Sequence, residues 1–490
     1  MRKILLRAVL VVVVFFGFTL VRSERFGSAQ LGTGVSGIIS SDTTWTKANS
    51  PYNLTGNALI ESGVTVTVEP GTIVNLNGYY IRINGTLIIQ PGASLNMGSL
   101  GTKVGFIEAN GVLTARGTGT DPIRFNGAVY SWSGIIPQYS VSYVSFAHTS
   151  LPWDEKTGSG CIIENALMDK TSIQTYSSIK ISNNILNDAG IGAFDGSPVI
   201  SNNVVPGEID VLGGSPVIAN NQLRGGRIYV SDRYGLDNPV ITSNLISDPK
   251  VLYDSHPAGI ALSGDFDSDN GLVLIEKNVI TDYFCGIQLA DNENRDMRKP
   301  IMIRSNTILN NEVGISVTDR FSPVLINNNI YNNNASIAMS YFASRDINAS
   351  YNWWGTTEIS EIDRLIYDYS ENFNLGRVNY NPILTAPDPS APDPNSPIPE
   401  AIIPSPTPLQ TPTPTATATP TPPPTPTMSA SSQPTQTPTL SPSQTGTPTP
   451  VSSGLSWSEI AIISLLGLIA VLLAILVVSS RKNRRLQANV

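Results

Sequence analysis

One short sequence recurs along this chain and limits what the chain can become. Gly196-Ser-Pro-Val-Ile-Ser-Asn-Asn203 returns as Gly214-Ser-Pro-Val-Ile-Ala-Asn-Asn221, and looser copies end at Asn244 and Asn329. Aligned on the last asparagine, nine positions emerge: Asn165, Asn184, Asn203, Asn221, Asn244, Asn278, Asn306, Asn329 and Asn352. The intervals are 19, 19, 18, 23, 34, 28, 23 and 23 residues. Three residues before each stands an isoleucine, from Ile162 and Ile181 to Ile326, and only the last copy differs, with Ala349. Further on, a second apolar stretch is often opened by glycine, as in Gly190-Ile191, Gly259-Ile260, Gly286-Ile287 and Gly314-Ile315.

A unit of this size, made of short β-branched runs without helical spacing, cannot bury its own apolar side. Stacking solves the problem: each unit lies on the one before, and the isoleucines become a continuous interior line. Crossovers between parallel strands are right-handed in about 98% of cases. The expected fold is therefore all-β, a right-handed parallel β-helix. Asparagine suits the corner because it tolerates left-handed backbone and its amide can bond to the next amide along the stack.

Residues 57–125 carry a related pattern. Glu61-Ser-Gly63 through Pro70-Gly71 is echoed by Ile83-Asn-Gly85 through Pro91-Gly92 and by Ala109-Asn-Gly111. These read as the first coils. Some thirteen to fifteen coils at about 4.8 Å each give a rod roughly 65 Å long. The two cysteines, Cys161 and Cys285, fall about five coils apart, roughly 24 Å and beyond disulfide reach, so both thiols are expected free. With only two histidines, His148 and His256, zinc sites and histidine-based triads are nearly excluded.

The ends of the 490-residue chain read differently. Arg2, Lys3 and Arg7 precede a short apolar run from Ala8, with Gly27-Ser28-Ala29 available for cleavage, which is the pattern of a signal peptide. Near the C-terminus, 19 residues from Ile460 to Val478 are interrupted only by Ser464 and Gly467. They match one transmembrane helix, and the Arg481, Lys482, Arg484 and Arg485 cluster after it belongs on the cytoplasmic side. Between Pro404 and Pro450 stand 15 prolines and 15 threonines, and no charge appears from Ala401 to Ser458. Proline at that density blocks helix and sheet, so a disordered, extended Pro/Thr stalk is expected. The domain reading is a signal peptide (1–29), N-terminal lead-in and first coils (30–125), main repeats (126–385), stalk (386–458), transmembrane helix (459–479) and cytoplasmic tail (480–490).

This places the bulk of the chain at the cell surface, with the membrane as one partner. Of 30 basic and 38 acidic residues, five basic and one acidic fall in the leader and four basic in the tail, leaving 21 basic and 37 acidic, a net charge of −16. So acidic a body argues against nucleic acid as a partner. Sequons at Asn53, Asn84, Asn334 and Asn348 suit a glycoprotein.

Aspartate recurs four residues after the second-stretch isoleucine, at Asp195, Asp232, Asp291 and Asp319, with Asp265 beside the same place in its coil. Asp232, Asp265, Asp291 and Asp319 would form a column of carboxylates on successive coils, a candidate ligand groove. Asx turns that end strands would give the same placement. The insertion Asp265-Phe-Asp267-Ser-Asp269 alternates carboxylates as a calcium loop does, and Glu276 stands eleven residues after Asp265. Asn270 in place of glycine and flanking strands speak against an EF-hand. Aromatic platforms for sugar rings are few in this part of the chain: Tyr229, Tyr234, Tyr283, Phe284 and Phe321.

The repeat, the Tyr351-Asn-Trp-Trp-Gly355 segment, the closing Val378-Asn-Tyr-Asn-Pro382 and the opening Thr43 to Tyr52 resemble the parallel β-helix repeat proteins of prokaryotic surfaces, a group with NosD-like members and carbohydrate-binding or sugar-cleaving β-helices. The resemblance covers roughly residues 36–385. It implies the fold and a carbohydrate ligand. For an enzyme of this group it would cast Asp265, Asp291, Arg295 and Arg320 as calcium-binding carboxylates and proton acceptor, although the tight motifs of such enzymes are missing. A copper role is disfavoured, since soft metal ligands are scarce. The reading preferred is a surface protein binding carbohydrate or an envelope polymer. The alternatives are a polysaccharide lyase or hydrolase at the acidic groove, and a structural spacer.

Overall fold

The computed structural model describes residues 32–132, 138–147, 149, 151–231, 238–247, 258–263, 271–290, 299–318, 321–340 and 342–395. The signal peptide, transmembrane helix and tail expected from the sequence lie outside the described residues, as does the separate unit Thr411–Val490. Among the described residues no helix is long and apolar enough to cross a membrane.

The described strands stack in parallel, apart from short antiparallel excursions such as Val129–Trp132 with Gln138–Phe146. Three faces result. The first holds 14 strands, from Thr43–Trp45 to Val378–Asn379, within the range of coils expected from the repeat. The second runs from Ile73–Asn75 through Ala166–Asp169 to Asn329–Tyr331. The third runs from Tyr80–Ile83 through Ile209–Val211 to Ile366–Tyr367. Each coil contributes one short strand to each face in turn. The chain folds as a parallel β-helix.

Alternation along each three- or four-residue strand turns one or two apolar side chains inward. On the first face Ile163, Ile181, Ile200, Ile218, Ile241, Ile275 and Ile303 pair each above the next and are fully buried. One apolar cluster extends without a break from Trp45 to Val378. Burying each isoleucine contributes roughly 1.5–3 kcal/mol, and only the neighbouring coils make that burial possible. Both cysteines are free and buried, as the repeat register requires.

The corner between the first and second faces is a two-residue device. Its first residue takes left-handed backbone: Asn183, Asn202, Asn220, Ser243, Lys277, Ser305 and Asn327 all have φ between 52° and 59°. Its second residue is the buried ladder asparagine. Asn203 donates both its backbone N–H and its Nδ2 to Asn221 Oδ1, at 2.9 and 3.0 Å, while Nδ2 also reaches the Ile181 carbonyl at 3.0 Å. The same set repeats from Asn184 to Asn352. The amide ladder is thus as expected, but its asparagines are not the left-handed residues.

Two ladder positions shift by one residue. In the run Asn327-Asn328-Asn329 the ladder member is Asn328, and the inward residue before it is Leu325, not Ile326. At the start, Asn165 itself takes the left-handed place, with φ 52°. Ala166 then occupies the ladder site and donates its N–H to Asn184 Oδ1 at 2.9 Å, so Ile163 replaces Ile162 in the stack. The corner has a fixed length, and the residue that must point inward decides the register.

The glycines that open the third-face strands meet a steric need. A Cβ on Gly286 would lie 2.6 Å from the Gly314 carbonyl oxygen and 2.9 Å from Ile308 Cγ2. A second, outer amide ladder was not foreseen: Asn75 donates to Asn53, Asn96 to Asn75 and Asn126 to Asn96, at 2.7, 2.8 and 2.7 Å.

Just before the last third-face strand, Ile366–Tyr367, the helix Ile359–Arg364 buries Ile362. The chain then returns across the second face. Leu384 donates to the Asn352 carbonyl at 3.0 Å, and residues 387–394 form one wall of a groove of about 910 Å³. The stretch expected to begin the stalk at 386 therefore starts as a strap on the β-helix.

Candidate functional site

The third face gathers side chains able to do chemistry. Outward positions there lie in register from coil to coil. Tyr80, Phe106 and Tyr143 stack, with ring centroids 5.0 and 4.8 Å apart and planes within 20°. Beside them Arg82 Nη2 meets Glu108 Oε2 at 3.1 Å, and the guanidinium lies over the Tyr80 ring. One coil beyond Tyr143, Tyr176 stacks on Phe194 of the following coil at 4.8 Å.

The focus lies on strands Ile209–Val211 and Ile228–Val230. Register places Asp210 between Gly192 on one side and Tyr229 on the other. Glu208 and Asp210 face outward together because they are two residues apart on a strand. Arg227 Nε stands 3.1 Å from Glu208 Oε1, an ion pair without hydrogen-bond alignment, and its guanidinium lies 5.2 Å from the Tyr229 ring centroid. The preceding coil adds almost no side chain here. A Cβ on Gly190 would lie 2.6 Å from the Glu208 carbonyl oxygen, and one on Gly192 would lie 2.8 Å from the Phe194 ring. Phe194 thus covers Gly192 beside Asp210.

This surrounding changes the acid. Burial, then the charge of Glu208 and a hydrogen bond with it, push the Asp210 carboxyl up to about 7, with Arg227 acting in the opposite sense. A carboxyl that exchanges its proton near neutrality, next to a carboxylate fixed by arginine, can donate or accept a proton at a ligand hydroxyl. The aromatic rings offer apolar edges to the carbon faces of a sugar.

The acidic column read from the sequence lies outside the described residues. In sequence Asp232, Asp291 and Asp319 directly follow Ser231, Ala290 and Thr318, the last described residues of three third-face segments. Asp232, Asp265, Asp267, Asp269, Asp291, Arg295, Asp319 and Arg320 all lie outside the described residues, as does Tyr234. Asp195 is described and exposed, and its Oδ1 accepts the Gly196 N–H at 2.6 Å, which is turn chemistry. Glu276 accepts from Arg304 at 2.8 Å on the first face. Among the described residues no group of three or more His, Cys, Asp or Glu could hold a metal. Tyr283 and Phe321 are buried and cannot serve as platforms, whereas Phe284 is 62% exposed.

The sequons Asn84, Asn334 and Asn348 are exposed. Asn53 instead belongs to the outer amide ladder, with Nδ2 packed against Gly32. Of the Glu208, Asp210, Arg227 and Tyr229 cluster only Tyr229 stands out in the sequence, because the outward positions within the strands do not repeat from coil to coil. Extending the same alignment outward sets Glu208 beside Arg227 and Asp210 beside Tyr229.

No protein-family model and no curated protein sequence matches the chain. Among solved structures, a crystal structure of a mutant of the periplasmic alginate epimerase AlgG is similar at 16% identity, covering 67% of this chain and 82% of that one, with a TM-score of 0.36.

Proposed function

We propose that this protein binds an extended carbohydrate polymer along its third face, outside the cell. The observation that carries the reading is the row of outward, half-buried side chains in register with Tyr80, which holds Phe106, Tyr143, Glu208 and Arg227 and is broken by Ser172 and Gly190, with Arg82, Glu108, Asp210 and Tyr229 in the row beside it. Coils repeat at about 4.8 Å, so the row presents equivalent contacts along one axis, as a linear polymer requires. A body of net charge −16 favours neutral or cationic stretches of such a polymer over anionic ones. In this reading residues 1–29 direct export, the sequons carry glycans, the stalk spaces the β-helix from the membrane, and residues 459–479 anchor it with the C-terminus in the cytoplasm. Calcium at Asp265, Asp267 and Asp269 belongs to the same proposal.

A second reading, a polysaccharide lyase or hydrolase, is favoured by the Glu208–Asp210 pair alone. One experiment separates the two. The full-length protein is incubated with a polysaccharide panel, with and without calcium, and both retention and new reducing ends are followed. Retention lost in a Tyr229→Ala variant, without new ends, supports the binding protein. New reducing ends, abolished in Asp210→Asn, replace it with the enzyme. Absence of both signals rejects both readings and leaves the spacer.

A further inference from the structure

The groove on the second face is lined by equivalent positions on successive coils. Leu245, Val279, Thr307 and Asn329 stand each above the next at the start of the second-face strands. Over part of its length the groove already holds an extended peptide. Asn329 clamps the backbone of Asp388 in both directions: it accepts the Asp388 N–H at 2.7 Å and donates to the Asp388 carbonyl at 3.2 Å. Ser305 meets Ser390 through their hydroxyls at 2.9 Å, and Thr307 donates to the Pro392 carbonyl at 2.6 Å. The strap is a tandem, Ala386-Pro-Asp-Pro-Ser390 then Ala391-Pro-Asp-Pro-Asn395. Two of its three anchors read backbone, so the groove selects an extended, proline-rich strand more than a particular side chain.

The groove continues past the strap. There it is lined by Leu245 and Val279, with Asn220, Ser243 and Lys277 at the corner. The chain that follows Asn395 has matching chemistry. It carries Pro397, Pro399 and Pro404, a composition that disfavours helix and sheet, and the apolar Ile398, Ile402 and Ile403. Glu400 is the one charged residue between Asp393 and Glu459. Proline-rich backbone offers carbonyls and few N–H groups, which suits a corner rich in donors. Reach also agrees: the coils of Val279 and Leu245 lie one and two steps, about 5 and 10 Å, from Thr307, and each residue of such a strand spans about 3.1 Å.

We infer that residues 396–410 dock in the continuing groove of the same molecule, with Glu400 against Lys277 and the isoleucines on Leu245 and Val279. This docking is independent of carbohydrate binding on the third face.

The test places a photo-crosslinking p-benzoylphenylalanine at Leu245 of the full-length protein and maps the products by mass spectrometry. The expected product joins position 245 to peptides from residues 396–410 within one molecule. Its yield should fall severalfold in Lys277→Glu and recover in Lys277→Glu combined with Glu400→Lys. Glu400→Lys alone, which leaves the β-helix untouched, should lower the yield equally. Absence of this product, an equal yield in Glu400→Lys, a product joining two molecules, or a product carrying a glycan instead would each overturn the inference.

Discussion

Asn328 and Asn329 are neighbours in the chain with different tasks. Asn328 is fully buried and carries the ladder, donating to Asn352 Oδ1 and to the Ile303 carbonyl and accepting from Asn306. Asn329 holds the strap. Asn328→Ala leaves several buried groups unpaired at roughly 1–3 kcal/mol each and is expected to lower stability by about 3–5 kcal/mol in denaturant unfolding. Asn329→Ala should cost about 1 kcal/mol and free the strap. Equal losses would show that the corner register is wrong. The thiols give a second expectation: burial raises Cys161 and pushes Cys285 up to about 11, so neither should react with a thiol reagent at pH 7 until the protein unfolds, when two should. Asp210 gives a third. Its folded carboxyl holds the proton more tightly than the unfolded one, so its stabilising contribution is complete below about pH 4 and is lost as pH rises through about 7. Thermal melts from pH 4 to 8 should therefore decline more in the natural protein than in Asp210→Asn, by about 1–2 kcal/mol once solvent screening is allowed for. At this scale the inward residues were legible, because each coil repeats the same demand. The left-handed residue was not, because Asn, Ser, Lys and Tyr351 all fill that place and three asparagines in a row hide which is which.

Among the elements, the strands are too short to be stable alone, and the glycine positions govern how closely they approach. Gly286→Ala puts a methyl group against the Gly314 carbonyl and the Ile308 side chain, so about 1–3 kcal/mol should be lost in thermal unfolding. An unchanged melting curve would mean that the third-face strands stand further apart than described. The alternation of short apolar runs and turns made most strands readable. The hairpin Val129–Trp132 and Gln138–Phe146 was not, since it breaks out of the repeat and pairs with its own neighbour. The candidate site was hidden for a related reason: outward positions obey no core constraint, so Glu208, Asp210, Arg227 and Tyr229 vary freely while the isoleucines between them do not.

For the whole molecule, one hydrophobic interior joins every coil from Trp45 to Val378 and makes the β-helix a cooperative body. The strap alters how that body is held. Up to Asn395 the described chain runs back along the flank beside Thr307 and Asn329 and does not end at the final coil. A pull on anything tethered beyond the docked segment is therefore applied along this flank and, once that segment is released, bears on the few hydrogen bonds of the strap. Those bonds act as a fuse under load: they can yield one after another and lengthen the tether while the stacked coils stay intact.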